Sequence, residues 1–176
     1  MDVYEAIRLR KSVRAWQDRD VPENLLSRIL DAARLAPSAR NLQEWRFIIV
    51  RDPKVREALT PAANNQAFVG QAPVVLACCA DTNSHVMRCG QLCYPIDLAC
   101  VIDHITLLAT AEGLGTCWIG AFYEDQVRKI LDVPEAIRIV ALLPIGWPVD
   151  AAPAEKNRLP LSSLLHFDRW VSRRSP

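Results

Sequence analysis

The stretch at residues 96–113 limits the fold more than any other part of the chain. Leu98, Val101, Ile102, Ile105, Leu108 and Ala109 recur at helical spacing on one broad face. Ala99, Thr106, Ala109 and Ala111 keep the rest of the surface slim, so the pattern predicts a central helix with close neighbours. Asp103, His104 and Glu112 interrupt the run, which reads as a buried helix of a soluble protein rather than a bilayer span. Gly113 and Gly115 terminate it. Such a helix needs a shell of other elements, and 176 residues with 51% apolar types can supply one. A single domain of that size buries about two thirds of its unfolded surface without metals or disulfides.

The shell is legible around it. A short helix is expected over residues 2–9 with Asp2 as N-cap, and a second opens at Pro22 and stops at Pro37. WRFIIV at 45–50 reads as a strand closed by Asp52-Pro53, followed by a small helix at 53–59 and a helical excursion within 61–70. Residues 74–80 and 137–145 are apolar runs suited to buried strands, and Cys78 and Cys79 should face opposite sides. A helix at 124–131 pairs Glu124 with Arg128 at i,i+4. Residues 149–160 are Pro- and Ala-rich and extended, a turn of helix follows at 161–165, and the last residues are expected to be mobile. The order predicts an α+β fold with three or four buried strands, in one domain over 1–176.

The charge balance excludes one large class. Twenty-one Lys and Arg face 20 Asp and Glu, for a net charge of +1, which rules out a broad polyanion-binding surface. A small anion site stays open, because 17 of the basic residues are arginines, whose rigid fork suits carboxylate or phosphate. The first residues lack a secretory apolar segment, and the run at 72–80 is too short to span a bilayer. The six cysteines are therefore expected as reduced thiols in the cytoplasm.

Several groups could carry chemistry. Arg10, Ser12 and Arg14 alternate, so an extended backbone puts all three on one side, where they suit a phosphate monoester. The alternative is a solvated, charged helix end. Ser38, Asn41 and Gln43, before Trp45, can bind a ring with mixed donors and acceptors, or merely cap a loop. Arg158 lies beyond the Pro-rich segment, beside Lys156, which adds little charge. GLGTCWIGA at 113–121 allows close backbone approach but is not a dinucleotide fingerprint, and the chain lacks a P-loop motif. Cys89, Cys93, Asp97, Cys100 and His104 have helical spacing that fits either a metal site or core packing, with Pro95 interrupting the helix. Cys117 is a further thiol that nothing marks as catalytic.

Taken together, these motifs resemble the flavin-dependent nitroreductase family over roughly residues 3–166. The opening Arg10-Lys11-Ser12-Val13-Arg14 resembles the family's R-R-S-x-R. Residues 36–47, APSARNLQEWRF, resemble A-P-S-x-x-N-x-Q-P-W-x-F. Residues 97–120, ending GLGTCWIG, and LPIGWP at 143–148 followed by Arg158, resemble the two later blocks. The resemblance implies a central mixed, mainly antiparallel sheet flanked by helices around a long central helix. It implies a homodimer with FMN sites at the interface and residues 149–176 packing on the partner subunit. Carried over, Arg10, Ser12, Arg14 and Arg158 hold the FMN phosphate and ribityl side, and Asn41 and Gln43 reach the flavin. Ser38 and Ala39 line the ring from the partner, and the backbone of Trp118, Ile119 and Gly120 approaches its redox edge. No acid–base side chain is assigned, because the flavin carries the redox step. The implied activity is an FMN-dependent NAD(P)H oxidoreductase acting by a ping-pong mechanism through flavin N5. Its acceptors would be nitroaromatics, quinones or related small conjugated molecules, with no nucleic acid or membrane partner. A reductive dehalogenase-like or flavin-processing member is the alternative within the fold, and a non-enzymatic flavin- or metal-binding protein the alternative outside it. NADH and NADPH are not separated. Two departures stand out: Lys11 replaces an arginine, and Glu44 stands where the family has proline, facing either the substrate cleft or solvent.

Overall fold

Every residue of strand β2 (Val74–Asp81) except the last is buried, so both faces of this strand must be covered. The computed structural model, which describes residues 1–170, shows how. α1 (Val3–Leu9) and α2 (Glu23–Ala33) lead through a 3-10 turn (Ala39–Asn41) to β1 (Trp45–Val50). α3 (Pro53–Ala62) and α4 (Ala67–Gln71) precede β2, and α5 (Cys93–Ala111) follows it. β3 (Gly115–Thr116), α6 (Glu124–Ile130), β4 (Ile137–Gly146) and a 3-10 turn (Leu161–Ser163) complete the order. The sheet runs β1-β2-β4-β3 and all its strand pairs are antiparallel. A parallel bridge between Ser12 and Thr116 adds the mixed character.

Period two along β2 sorts its side chains between two cores. Val74, Leu76, Cys78 and Ala80 pack with Leu26 and Ile29 of α2 and with Leu98, Val101, Ile102 and Ile105 of α5. Val75, Ala77 and Cys79 pack on the other face with Leu59 of α3, Val69 of α4 and Val127 of α6. Cys78 and Cys79 therefore do face opposite sides. A bulge between them in the β2–β4 register leaves Val140 unpaired. By length and mean hydropathy (1.3) α5 could cross a bilayer, but here its apolar face lies against the sheet and α2.

Three boundaries depart from the sequence pattern. α2 ends at Ala33 rather than at Pro37, because residues 34–36 tighten into a turn in which Leu35 and Ala36 donate to Ala32 and Ala33. α3 runs through Pro61 to Ala62, since a proline one residue from the end removes little of the ladder. α5 begins at Cys93, so Pro95 does not interrupt it: it sits in the first turn, where a backbone N–H has no partner to lose. The expectation for the final residues falls partly on 171–176, which lie outside the described residues.

Glu124 ties α6 to β4. Its carboxylate accepts from Arg128 (3.1 Å), from Arg138 at both oxygens (3.1 and 3.0 Å) and from the Ile139 amide (2.9 Å). Burial raises its pKa, but the Arg138 and Ile139 hydrogen bonds and the two guanidinium charges outweigh it and hold the group below the ordinary 4.5. Glu124→Ala orphans the Ile139 N–H and is expected to cost about 2 kcal/mol in denaturant unfolding at neutral pH. A carboxyl with a lowered pKa stabilises above its unfolded value, so in the wild type this contribution is lost as pH falls through the depressed value, below 4.5. The variant should lack that acid-side decline.

Candidate functional site

The segment after α1 is extended, and Ser12 pairs with Thr116 of β3 while the Val13 amide donates to the Thr116 carbonyl at 2.9 Å. This pairing fixes which way alternate side chains point. Val13 turns inward against β3, and Lys11 turns to the C-terminal extension, where Nζ donates to the Ala152 carbonyl (2.5 Å). Arg10, Ser12 and Arg14 take the opposite side. The approach of Val13 to β3 requires Gly115: a Cβ there would lie 2.8 Å from Val13 Cβ.

Arg10 faces a cavity of about 510 Å³ that is also lined by Arg8, Lys156, Arg158, Asp103 and Tyr4. Four cations thus meet one carboxylate. Lys156 donates to the Ile7 carbonyl (2.5 Å), and its pKa is pushed down by burial and by the neighbouring Arg10, Arg158 and Arg8. Ser12 and Arg14 lie against Cys117 instead. Burial raises the pKa of its thiol, against the opposing pull of Arg14, Ser12 and Arg10. Arg14 also sits 5.8 Å from the Phe68 ring centroid. Arg10 belongs to both groups and joins them.

Beyond Cys117 the chain runs along β4. The Cys117 and Ile119 amides donate to Pro144 (3.3 Å) and Leu142 (2.9 Å). Alternation then turns the Trp118 and Gly120 amides away from β4. Trp118 is 43% exposed, and a Cβ on Gly120 would meet nothing within 4 Å. The Ile119 amide, counted among the ring-facing groups on sequence, is committed to Leu142.

The loop at residues 38–43 is built under tension. Arg40, Asn41 and Gln43 have φ of 53°, 56° and 51°, a left-handed conformation that non-glycine residues adopt at a cost. Two anchors hold it: the Ser38 hydroxyl accepts from the Gln43 amide (3.0 Å), and both Asp97 oxygens lie 3.1 and 3.0 Å from the Ala39 N–H. The Ser38 hydroxyl therefore does cap the loop. Asn41 and Gln43 stay exposed, joined by Gln43 Nε2 donating to the Asn41 carbonyl. None of Ser38, Ala39, Asn41 or Gln43 lines the arginine cavity.

Glu44 faces neither cleft nor solvent. It is 7% exposed, and its Oε2 has no hydrogen-bond partner. Asp97, 5% exposed, has its pKa raised by burial and by Glu44, against the lowering from the Ala39 amide. The Cys93–His104 face serves packing and loop anchoring: Cys93 is buried, Asp97 holds Ala39, and His104 Nδ1 lies 2.9 Å from the Cys100 carbonyl. Among the described residues no three His, Cys, Asp or Glu side chains group as metal ligands.

The nitroreductase family profile matches residues 7–91 and 62–147. The chain belongs to the nitroreductase family. An NADH dehydrogenase of Thermus thermophilus is 33% identical over 94% of this chain and 95% of its own. An FMN reductase (NAD(P)H) of Bacillus subtilis is 27% identical over 97% and 75%. The crystal structure of a nitroreductase family protein from Clostridium novyi NT superimposes with a TM-score of 0.82 at 34% identity, over 88% and 89%. The α+β nitroreductase fold with its long central helix is thus shown, and the named relatives are oxidoreductases. Within that fold, sequence reasoning missed Arg8, Lys156 and Asp97. Lys156 had a usable signal: it stands two residues from Arg158 in an extended segment, which puts both on one side.

Proposed function

We propose that this family member is an FMN-dependent NAD(P)H oxidoreductase that reduces nitroaromatics, quinones or related small conjugated acceptors. The observation that carries the reading is the cavity in which Arg8, Arg10, Lys156 and Arg158 face a single carboxylate, Asp103. Burial and then the neighbouring guanidiniums lower the Lys156 pKa, and a phosphate monoester offsets that concentration of positive charge through charge-assisted hydrogen bonds. The donor set therefore fits the FMN phosphate. Arg10, Arg158 and Lys156 hold it, and Ser12 and Arg14 follow the ribityl side. The outward amides of Trp118 and Gly120, rather than that of Ile119, meet the ring edge. When bound, FMN supplies hydride acceptance and onward electron delivery, in a ping-pong sequence at N5. The protein's part is binding, orientation and exclusion of water.

The exposed loop at 38–43 serves the site of a second copy in a homodimer. Val3, Tyr4, Ile7 and Leu35 are exposed on α1 and after α2, and Leu159, Leu161, Leu164 and Phe167 on the C-terminal extension. That much bare apolar surface supports burial against a partner. Purified protein is expected to be yellow, with absorbance near about 450 nm from the bound flavin. It should oxidise NAD(P)H with a quinone or nitroaromatic acceptor, and light scattering should give twice the 19.7 kDa chain mass. Colourless protein that takes up no FMN overturns the reading.

A further inference from the structure

A buried carboxylate with an unpartnered oxygen is costly in a low-dielectric interior, more so beside a second carboxylate. Glu44, immediately before β1, and Asp97, in α5, are such a pair. The other titratable and charged groups around them offer little relief. Cys93 lies one turn earlier on α5, and Cys89 approaches from the preceding turn. Tyr94 lies under Arg138, which is bound to Glu124. Arg40, on the loop itself, acts on Cys93 from an exposed position. Among the described residues, the group that stabilises ionised Asp97 is the Ala39 amide.

We propose that Asp97 is the positioning residue of the loop at 38–43, and that the buried Glu44 makes its hold on Ala39 sensitive to pH. Ionised Asp97 offers two equivalent oxygens to one N–H, and a hydrogen bond to a charged acceptor is roughly twice as strong as a neutral one. On taking up a proton, Asp97 loses that charge and gains an O–H that needs an acceptor. Glu44, itself buried, disfavours a second negative charge and so favours that protonated form. The proton thus weakens the bond that holds the loop. The loop carries three residues in left-handed backbone and relaxes once its anchor weakens. The consequence for flavin rests on the proposed function, because the loop matters to flavin only if it faces one.

The Ala39 amide proton, followed by NMR in the ¹⁵N-labelled full chain, reads the anchor directly, with or without flavin. In the wild type it should titrate with a midpoint above the ordinary aspartate value of 3.8. Glu44→Gln should lower the midpoint, and Asp97→Asn should abolish the titration. An unchanged midpoint in Glu44→Gln, or a titration that survives Asp97→Asn, overturns the proposal. Flavin retention is measured over the same pH range in wild type and Glu44→Gln. Earlier release from the wild type supports the link to the cofactor. Retention with the same pH dependence in both overturns that link, whereas absence of flavin at every pH overturns the proposed function instead.

Discussion

Replacing Arg10 and Arg158 together by alanine should reduce FMN affinity at least about 100-fold. Each guanidinium in a charge-assisted contact contributes about 1.5–3 kcal/mol, and 1.4 kcal/mol is a factor of ten. Both line one cavity, so the losses fall on the same ligand group. The effect should stop short of the full sum, because Arg158 is exposed and Lys156 and Arg8 remain. Arg28→Ala with Arg34→Ala is the charge-matched control: Arg28 pairs with Glu112 (3.0 Å), Arg34 with Asp31 (2.6 Å), and neither lines the cavity. Flavin titration of the stripped protein gives the comparison. Raising the salt should weaken the wild type more than the double variant, because fewer charges remain to be screened. Equal affinity in the double variant and the control shows that the phosphate lies elsewhere.

Gly115→Ala should strike fold and site together. Its new methyl would stand 2.8 Å from Val13 Cβ and 3.1 Å from Val13 Cγ1, well inside van der Waals contact. Val13 is buried and its amide is bonded to Thr116, so it has little room to retreat. Overpacking of this kind costs about 1–3 kcal/mol, or roughly 3–10 °C in Tm for a chain of this length. The displaced segment carries Arg10, Ser12 and Arg14, so flavin affinity should fall in parallel. Val13→Ala removes the methyls that meet the new Cβ and leaves only Val13 Cβ at 2.8 Å, a partial relief. In a double-mutant cycle, Gly115→Ala with Val13→Ala should therefore be less destabilised than the two single losses combined. An additive cycle shows that the two residues do not press on one another.

Alternation and helical period made much of this visible beforehand. β1 was readable residue for residue from WRFIIV, because bulky apolar residues end in Asp-Pro. The common side of Arg10, Ser12 and Arg14 followed from a two-residue repeat alone. What escaped depended on long-range contacts. Pro95 reads locally as a break, yet in a first turn it costs nothing, so three more residues join α5. Lys156 acquires meaning only because the extension folds back across α1 and brings it to Ile7. Glu44 reads as a carboxylate facing the cleft or solvent, because nothing local marks it for burial. Asp97 was quoted within a motif, but its task depends on where Ala39 comes to rest.

The two central strands meet late. Asp81 pairs with Ile137 across the whole of α5, β3 and α6. Closing so long a loop lowers entropy before any contact rewards it, which slows folding relative to a chain of local hairpins. On the ribosome, α5 emerges before β4 exists to complete the sheet beneath it. Until then the side of β2 that pairs with β4 is bare to other chains, so the interval before β4 docks is when this protein is most exposed to aggregation.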